Sequence, residues 1–147
     1  FENYIDRYSG AFIGRYEDKV ENQFYWYIRP QETGNKTDVR WLTLLDSGGL
    51  GVKITGLQPI SFSALHFSPE DLDPGLTRKL QHTIDIVPQK NIFLHVDLKQ
   101  RGLGGDNSWG MYPHNEYRLL DKKYTYSYMI ELVEKGSDKN DYLNSRK

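Results

Sequence analysis

The stretch Tyr124-Thr125-Tyr126-Ser127-Tyr128-Met129-Ile130-Glu131-Leu132 decides the fold class. Successive side chains of a strand point to opposite faces, so positions 124, 126, 128, 130 and 132 share one face, and that face is wholly aromatic or aliphatic. Working outward, shorter runs at 25–28, 39–45, 51–57, 60–67, 83–87, 92–98 and 116–120 read as further strands, each bounded by Gly, Pro, Asn or Asp. About eight short strands at regular spacing predict an all-β chain folded as an antiparallel β-sandwich. Asp46-Ser47-Gly48-Gly49 reads as a hairpin connection, and Gln58-Pro59 as a tight break between two strands. Helix signals are confined to Ser68-Pro69-Glu70-Asp71, where Ser can cap, Pro suits the first helical position and the carboxylates suit the positive end of the dipole. Asp73-Pro74-Gly75 ends that segment, so at most one short helix is expected.

Composition agrees with a sheet. Aromatic residues reach 14%, with eleven Tyr, six Phe and three Trp, although apolar residues make up only 37% of the 147. A chain of this length can bury roughly 70% of its unfolded surface, enough for one domain. Nineteen basic against twenty acidic residues leave a net charge of -1 with no basic cluster, which excludes nucleic acid and an anionic membrane as partners. The absence of cysteine excludes disulfides, thiolate metal sites and a Cys nucleophile, and leaves a reducing cytosol and a Cys-poor periplasm equally open. No apolar run approaches the roughly 20 residues that span a bilayer, and Phe1-Glu2-Asn3-Tyr4 has no leader character. With no initiator Met, the chain reads as a piece of a longer polypeptide. The expected domain is 1–134, followed by a polar, mobile tail at 135–147.

Few residues form a pattern that carries chemistry. His66, His82, His95 and His114 show no ligand spacing, so no metal site is expected. Ser108, His114 and Asp106 contain the residue types of a triad, but Ser108 sits in no Gly-x-Ser-x-Gly elbow, and these side chains read as loop groups bonding the backbone. The run Gly102-Leu103-Gly104-Gly105-Asp106-Asn107-Ser108-Trp109-Gly110 is a built loop, because glycines permit unusual backbone angles and Asp, Asn and Ser bond locally. It lacks the third glycine of a dinucleotide fingerprint and the Lys of a phosphate-binding loop. Trp109 on such a loop either packs beneath it or meets a ligand. Arg29-Pro30-Gln31-Glu32-Thr33-Gly34-Asn35-Lys36-Thr37-Asp38-Val39-Arg40-Trp41 runs from a Gly34-Asn35 turn into a strand. There Arg40 and Asp38 pair, or Arg29 and Arg40 brace carboxylates in a solvated loop.

Together with Glu2-Asn3-Tyr4-Ile5-Asp6-Arg7, these two segments resemble, in order and spacing, the C-terminal region of family 2 β-galactosidases. The similarity runs from Glu2 to about Val133. Ile5 stands where the family usually has Pro, Thr33 where it often has Asn, and Asn107 where some members have Asp. The resemblance implies a large bacterial parent that hydrolyses terminal β-D-galactose residues with retention, through two Glu on a central barrel. Neither catalytic Glu motif of that family occurs here, so no catalytic residue is assigned to Glu2, Glu32, Glu70 or Glu116. The chain would form the second half of a sandwich similar to galactose mutarotase.

By the same resemblance Trp109 offers the galactoside an apolar platform, lined also by Asp106 and Asn107, which hold the loop. Gly102, Gly104, Gly105, Arg29, Glu32, Asn35, Asp38 and Arg40 give loop support. The implied partner is the remainder of the polypeptide, and a half-sandwich on its own is expected to self-associate. No cofactor is expected in this segment, although the parent's dependence on magnesium or sodium is implied. A stand-alone sugar-binding module using Trp26 or Trp109 is the second reading. A mutarotase using His66, His82 and Glu116 would rest on fold analogy alone.

Overall fold

A computed structural model of the chain describes residues 14–26, 33–73, 75–77, 82–102, 106–107 and 110–134. The order of elements is β1 (Lys36–Leu45), β2 (Leu50–Leu65), α1 (Pro69–Leu72), β3 (Phe93–Asp97) and β4 (Tyr128–Glu134), with isolated 3-10 turns between them. The four strands form one antiparallel sheet in the order β1-β2-β3, with β4 also paired to β2. The described chain is thus mostly β, and its one α-helix is four residues long. Among the described residues no helix is long and apolar enough to cross a membrane. Contacts divide the chain into two units, 1–39 with 60–125 and 40–59 with 126–147.

In the second unit, the hairpin between β1 and β2 follows from Asp46. Its amide donates to the Leu50 carbonyl (2.8 Å), its carbonyl accepts from the Gly49 amide (3.1 Å), and its Oδ1 accepts from the Leu50 amide (3.0 Å). β4 runs beside β2 in the register Gly56↔Tyr128, Ile54↔Ile130 and Val52↔Leu132. Paired residues share a face, and the face is apolar as the sequence alternation requires. It is covered unevenly. Ile54 is 2% exposed, whereas Ile130 is 60% and Leu132 90% exposed. Alternation placed these side chains on one face but did not place anything over them.

In the first unit, β2 continues to pair, now with β3, from Ser61↔Asp97 to Leu65↔Phe93. The expected break at Gln58-Pro59 is absent, and one sixteen-residue strand replaces two short ones. Proline removes a ladder donor and is tolerated where no ladder bond is required. On the edge of β2 shared by β3 and β4, Pro59 lies between the stretch that pairs with β4 and the stretch that pairs with β3. Gln58 bridges the gap, its Nε2 donating to the Ser127 carbonyl (3.1 Å) and its Oε1 accepting from the Ser127 amide (3.3 Å).

The strand expected over 124–132 begins only at Tyr128, with 124–127 outside it, and two further expected strands are absent. The 83–87 run is a 3-10 turn at Thr83–Asp85, because the Asp85 carboxylate accepts from the His82 amide (2.7 Å) and closes the turn. The 116–120 run begins with a 3-10 turn at Asn115–Tyr117, and Leu119 and Leu120 stay exposed. Of 25–28, Tyr25 and Trp26 are not in a strand, and 27–28 lie outside the described residues.

The expected helix start is present. Ser68 Oγ accepts from the Asp71 amide (3.2 Å) and Asp71 Oδ2 accepts from the Ser68 amide (2.7 Å), a reciprocal capping box with Pro69 at the first helical position. The helix delivers Leu72 into a cluster with Leu65 and Phe67, against which Phe24 and Ile86 pack. The Phe24 and Phe67 rings lie 4.6 Å apart between centroids.

A glycine turn leads into β1. Gly34 has φ 65°, and a Cβ there would lie 2.5 Å from the Gln23 carbonyl oxygen, so both backbone angle and space demand glycine. Beside it Thr33 is fully buried and its Oγ1 donates to the Tyr25 carbonyl (3.4 Å). Lys36 is buried too, with Nζ donating to the Gly34 carbonyl (2.6 Å) and lying 5.5 Å from the Phe62 ring centroid.

Candidate functional site

The glycine-rich run opens a loop whose ends are brought together by the backbone. Gly102 is buried, and its amide donates to the Tyr117 carbonyl at 2.7 Å. A Cβ at 102 would stand 3.0 Å from Tyr117 Cβ and 3.3 Å from Pro113 Cβ, so the approach is tight for any larger residue. The returning limb is set by the 3-10 turn at Asn115–Tyr117, where the Tyr117 amide donates to the His114 carbonyl (2.9 Å).

A second tie lies further out. His114 Nε2 is 2.7 Å from Asp106 Oδ1, with the two side chains 58% and 67% exposed. The Asp106 carboxylate, by hydrogen bond and then by charge, and Glu116 more weakly, hold the His114 imidazole above its ordinary value of 6.5. Arg118 donates to Asn115 Oδ1 (3.2 Å) and places its guanidinium 4.7 Å from the Tyr112 ring centroid, with Arg101 5.7 Å from the same ring. Asp106, Gly110, Tyr112, His114, Glu116 and Arg118 line an open depression of about 630 Å³.

The sequence-predicted site residues fall into three groups. Asp106, Asn107 and Gly102 are on this loop, Asp106 bonded to His114 and Gly102 at the neck. Asn35, Asp38 and Arg40 are elsewhere: Asn35 is 5% exposed and its Oδ1 has no hydrogen-bond partner, while Asp38 and Arg40 are exposed on β1. Neither Asp38 nor Arg40 forms an ion pair among the described residues, and Asp38 instead has φ 53°, a left-handed angle that Asp tolerates better than most residues. Trp109, Gly104, Gly105, Arg29 and Glu32, like Ser108 and the tail at 135–147, lie outside the described residues.

The triad residue types are joined in part, through Asp106 and His114. An Asp that orients a catalytic imidazole is buried, and Asp106 is not. His66, His82 and Glu116 are not joined to one another by any hydrogen bond or ion pair. His66 Nδ1 faces the Gln89 and Asn91 carbonyls at 3.0 and 3.2 Å, and His82 Nδ1 lies 3.3 Å from Asp85 Oδ2. Among the described residues no three His, Cys, Asp or Glu side chains converge as a metal site would need. His114, which the sequence offers only as one of three triad residue types, ties the loop through Asp106.

The family described as Beta galactosidase small chain matches residues 1–130. A β-galactosidase of Priestia megaterium is 37% identical over 131 residues, covering 88% of this chain and 12% of that protein. One of Streptococcus thermophilus is 36% identical over 132 residues, again covering 88% and 12%. One of Halalkalibacterium halodurans is 34% identical over 119 residues, covering 80% and 11%. The chain therefore spans about an eighth of the length of these curated relatives.

Proposed function

As the chain belongs to the β-galactosidase small chain family, we propose that it is the non-catalytic C-terminal part of a family 2 β-galactosidase that hydrolyses terminal β-D-galactose residues with retention. Residues 1–134 form its domain, one part of a larger sandwich, and 135–147 a polar tail. The acid/base and nucleophile carboxylates belong to the rest of the polypeptide. This segment supplies shape: Trp109 presents an apolar ring to the C–H face of the sugar, and Asp106 and Asn107 hold the loop that carries it. The parent's dependence on magnesium or sodium belongs to the rest of the polypeptide, and no step is assigned to an ion here.

The observation that supports this reading is the double closure of the loop, at Gly102–Tyr117 and at Asp106–His114. A slack connection needs neither tie, whereas a surface that meets a ligand gains from both because less entropy remains to be lost on binding. The open apolar side chains of β4 support the partner assignment, since a strip such as Ile130 and Leu132 is what a second sheet face covers. The test is Trp109→Ala in the complete enzyme. KM for a chromogenic β-galactoside rises roughly three- to tenfold, the size of an aromatic contact, with the melting temperature unchanged. An unchanged KM would remove the platform role.

A further inference from the structure

The backbone bond between Gly102 and Tyr117 also brings the neighbours of those two residues together. Arg101 precedes the donor and Arg118 follows the acceptor, and both guanidiniums bear on one ring, 5.7 and 4.7 Å from the Tyr112 centroid. Asn115 fixes the second further, its Oδ1 accepting from Arg118 Nη1 at 3.2 Å. The ring attracts both cations but does not neutralise them, and they repel each other. Among the described residues neither arginine has a carboxylate partner. The nearby carboxylates serve the imidazole instead: Asp106 is bonded to His114, and Glu116 acts on the same ring.

The surroundings suit a protein partner better than a free anion. Met111, Tyr112 and Pro113 share the depression with Arg118, and Met111 and Tyr112 are 54% and 63% exposed. Met, Tyr and Arg are the residue types that interface centres concentrate, and Tyr and Arg are frequent anchors there. A free phosphate would be held by the guanidiniums alone and would gain nothing from the exposed thioether and ring. A second copy related by a two-fold axis through this patch would return the same arginines to it, which leaves their charge unmatched. The chain spans about an eighth of the length of its matched relatives, so a far larger stretch of polypeptide is available to meet it.

We propose that Arg101 and Arg118, braced on Tyr112, form a docking site for an aspartate or glutamate side chain of the remaining polypeptide, with Met111 and Tyr112 supplying apolar contact beside it. This rests on the reading of the chain as part of a larger β-galactosidase. A guanidinium fork matches a carboxylate through two parallel N–H···O bonds, which a lysine cannot offer. Holding both forks against the ring before contact leaves less side-chain freedom to be lost when the carboxylate arrives.

The experiment compares melting temperatures of the 147-residue chain and of the complete enzyme carrying this segment, each as wild type, Arg101→Gln, Arg118→Gln and Arg118→Lys. Each glutamine variant is expected to lower the melting temperature of the complete enzyme by roughly 2 to 4 °C while leaving the chain alone within ~1 °C of wild type. Arg118→Lys keeps the charge without the fork and recovers only part of the loss, and all the deficits shrink in high salt. Wild-type melting in every variant of the complete enzyme overturns the site. An equal drop in the chain and in the complete enzyme also overturns it, because the arginines would then serve only their own domain. Inorganic phosphate tests the free-anion source: if it raises the melting temperature of the wild-type chain but not that of Arg118→Gln, the site takes a small oxyanion and the polypeptide carboxylate is wrong. A complete polypeptide that does not hydrolyse β-galactosides removes the reading on which the site rests, whereas an active one with unaltered variants removes the site alone.

Discussion

Gly102 and Tyr117 meet backbone to backbone at the neck of the glycine-rich loop, the Gly102 amide donating at 2.7 Å in a close approach that leaves little space for a side chain. A methyl at 102 would have to displace Tyr117 or Pro113 by a few tenths of an ångström. Gly102→Ala is therefore expected to lower the stability of the chain by about 1 kcal/mol, the low end for overpacking. In the complete enzyme it should raise KM with little change in kcat. Urea melts and steady-state kinetics check both, and wild-type values in both would show that the neck is looser than its geometry implies.

Ser68 and Asp71 make each other's hydrogen bonds at the start of α1, and Gln89 Nε2 adds a third to Asp71 Oδ2 at 2.6 Å. Burial pushes the Asp71 carboxyl up, but the Ser68 amide, the Gln89 amide and the Ser68 hydroxyl together hold it below its ordinary value of 3.8. A depressed carboxylate contributes stability that is present above the ordinary value and is lost as pH falls through the depressed one. Ser68→Ala should cost about 1 kcal/mol at neutral pH. Asp71→Asn should cost stability at neutral pH and little in strong acid, where wild type has lost the same contribution. A gap between Asp71→Asn and wild type that stays constant from neutral pH into strong acid would contradict the assignment.

The features legible in the sequence were those that local chemistry decides. Asp46 makes its hairpin and Ser68 its helix start with neighbours at most four residues away, and Gly34 supplies the left-handed angle of its turn by itself. What escaped depends on partners distant in sequence. The continuity of β2 through Pro59 depends on β3 and β4 arriving on either side of it, and Gln58 bonds Ser127 across sixty-nine residues. Asp85 outweighed the β-branched residues beside it because one carboxylate at the right spacing closes a turn more directly than propensity opens a strand. In the loop, glycine content announced a built structure, but the pairing of Asp106 with His114 joins residues eight apart that no local pattern links.

The apolar face of β4 has a consequence in solution. Leu132 and Ile130 stand largely exposed beside Val52 and Ile54 of β2, and an open strip of this kind drives association. The purified chain should therefore show a mass that rises with concentration in light scattering. Leu132→Lys should reduce that rise without lowering the melting temperature, because Leu132 is 90% exposed and its removal leaves no cavity. A sharp monomer peak at all concentrations for the wild-type chain would contradict the role given to this face.

The central claim is that the chain supports a sugar-cleaving site without carrying its catalytic carboxylates, and the most direct test is hydrolysis of a chromogenic β-galactoside. The purified chain is assayed alone and after mixing with the remaining portion of the β-galactosidase polypeptide. The account predicts no turnover by the chain alone and turnover on mixing, above that of the remaining portion by itself. Turnover by the isolated chain would contradict it, since the chemistry would then have to come from carboxylates such as Glu116 or Asp106 within this segment.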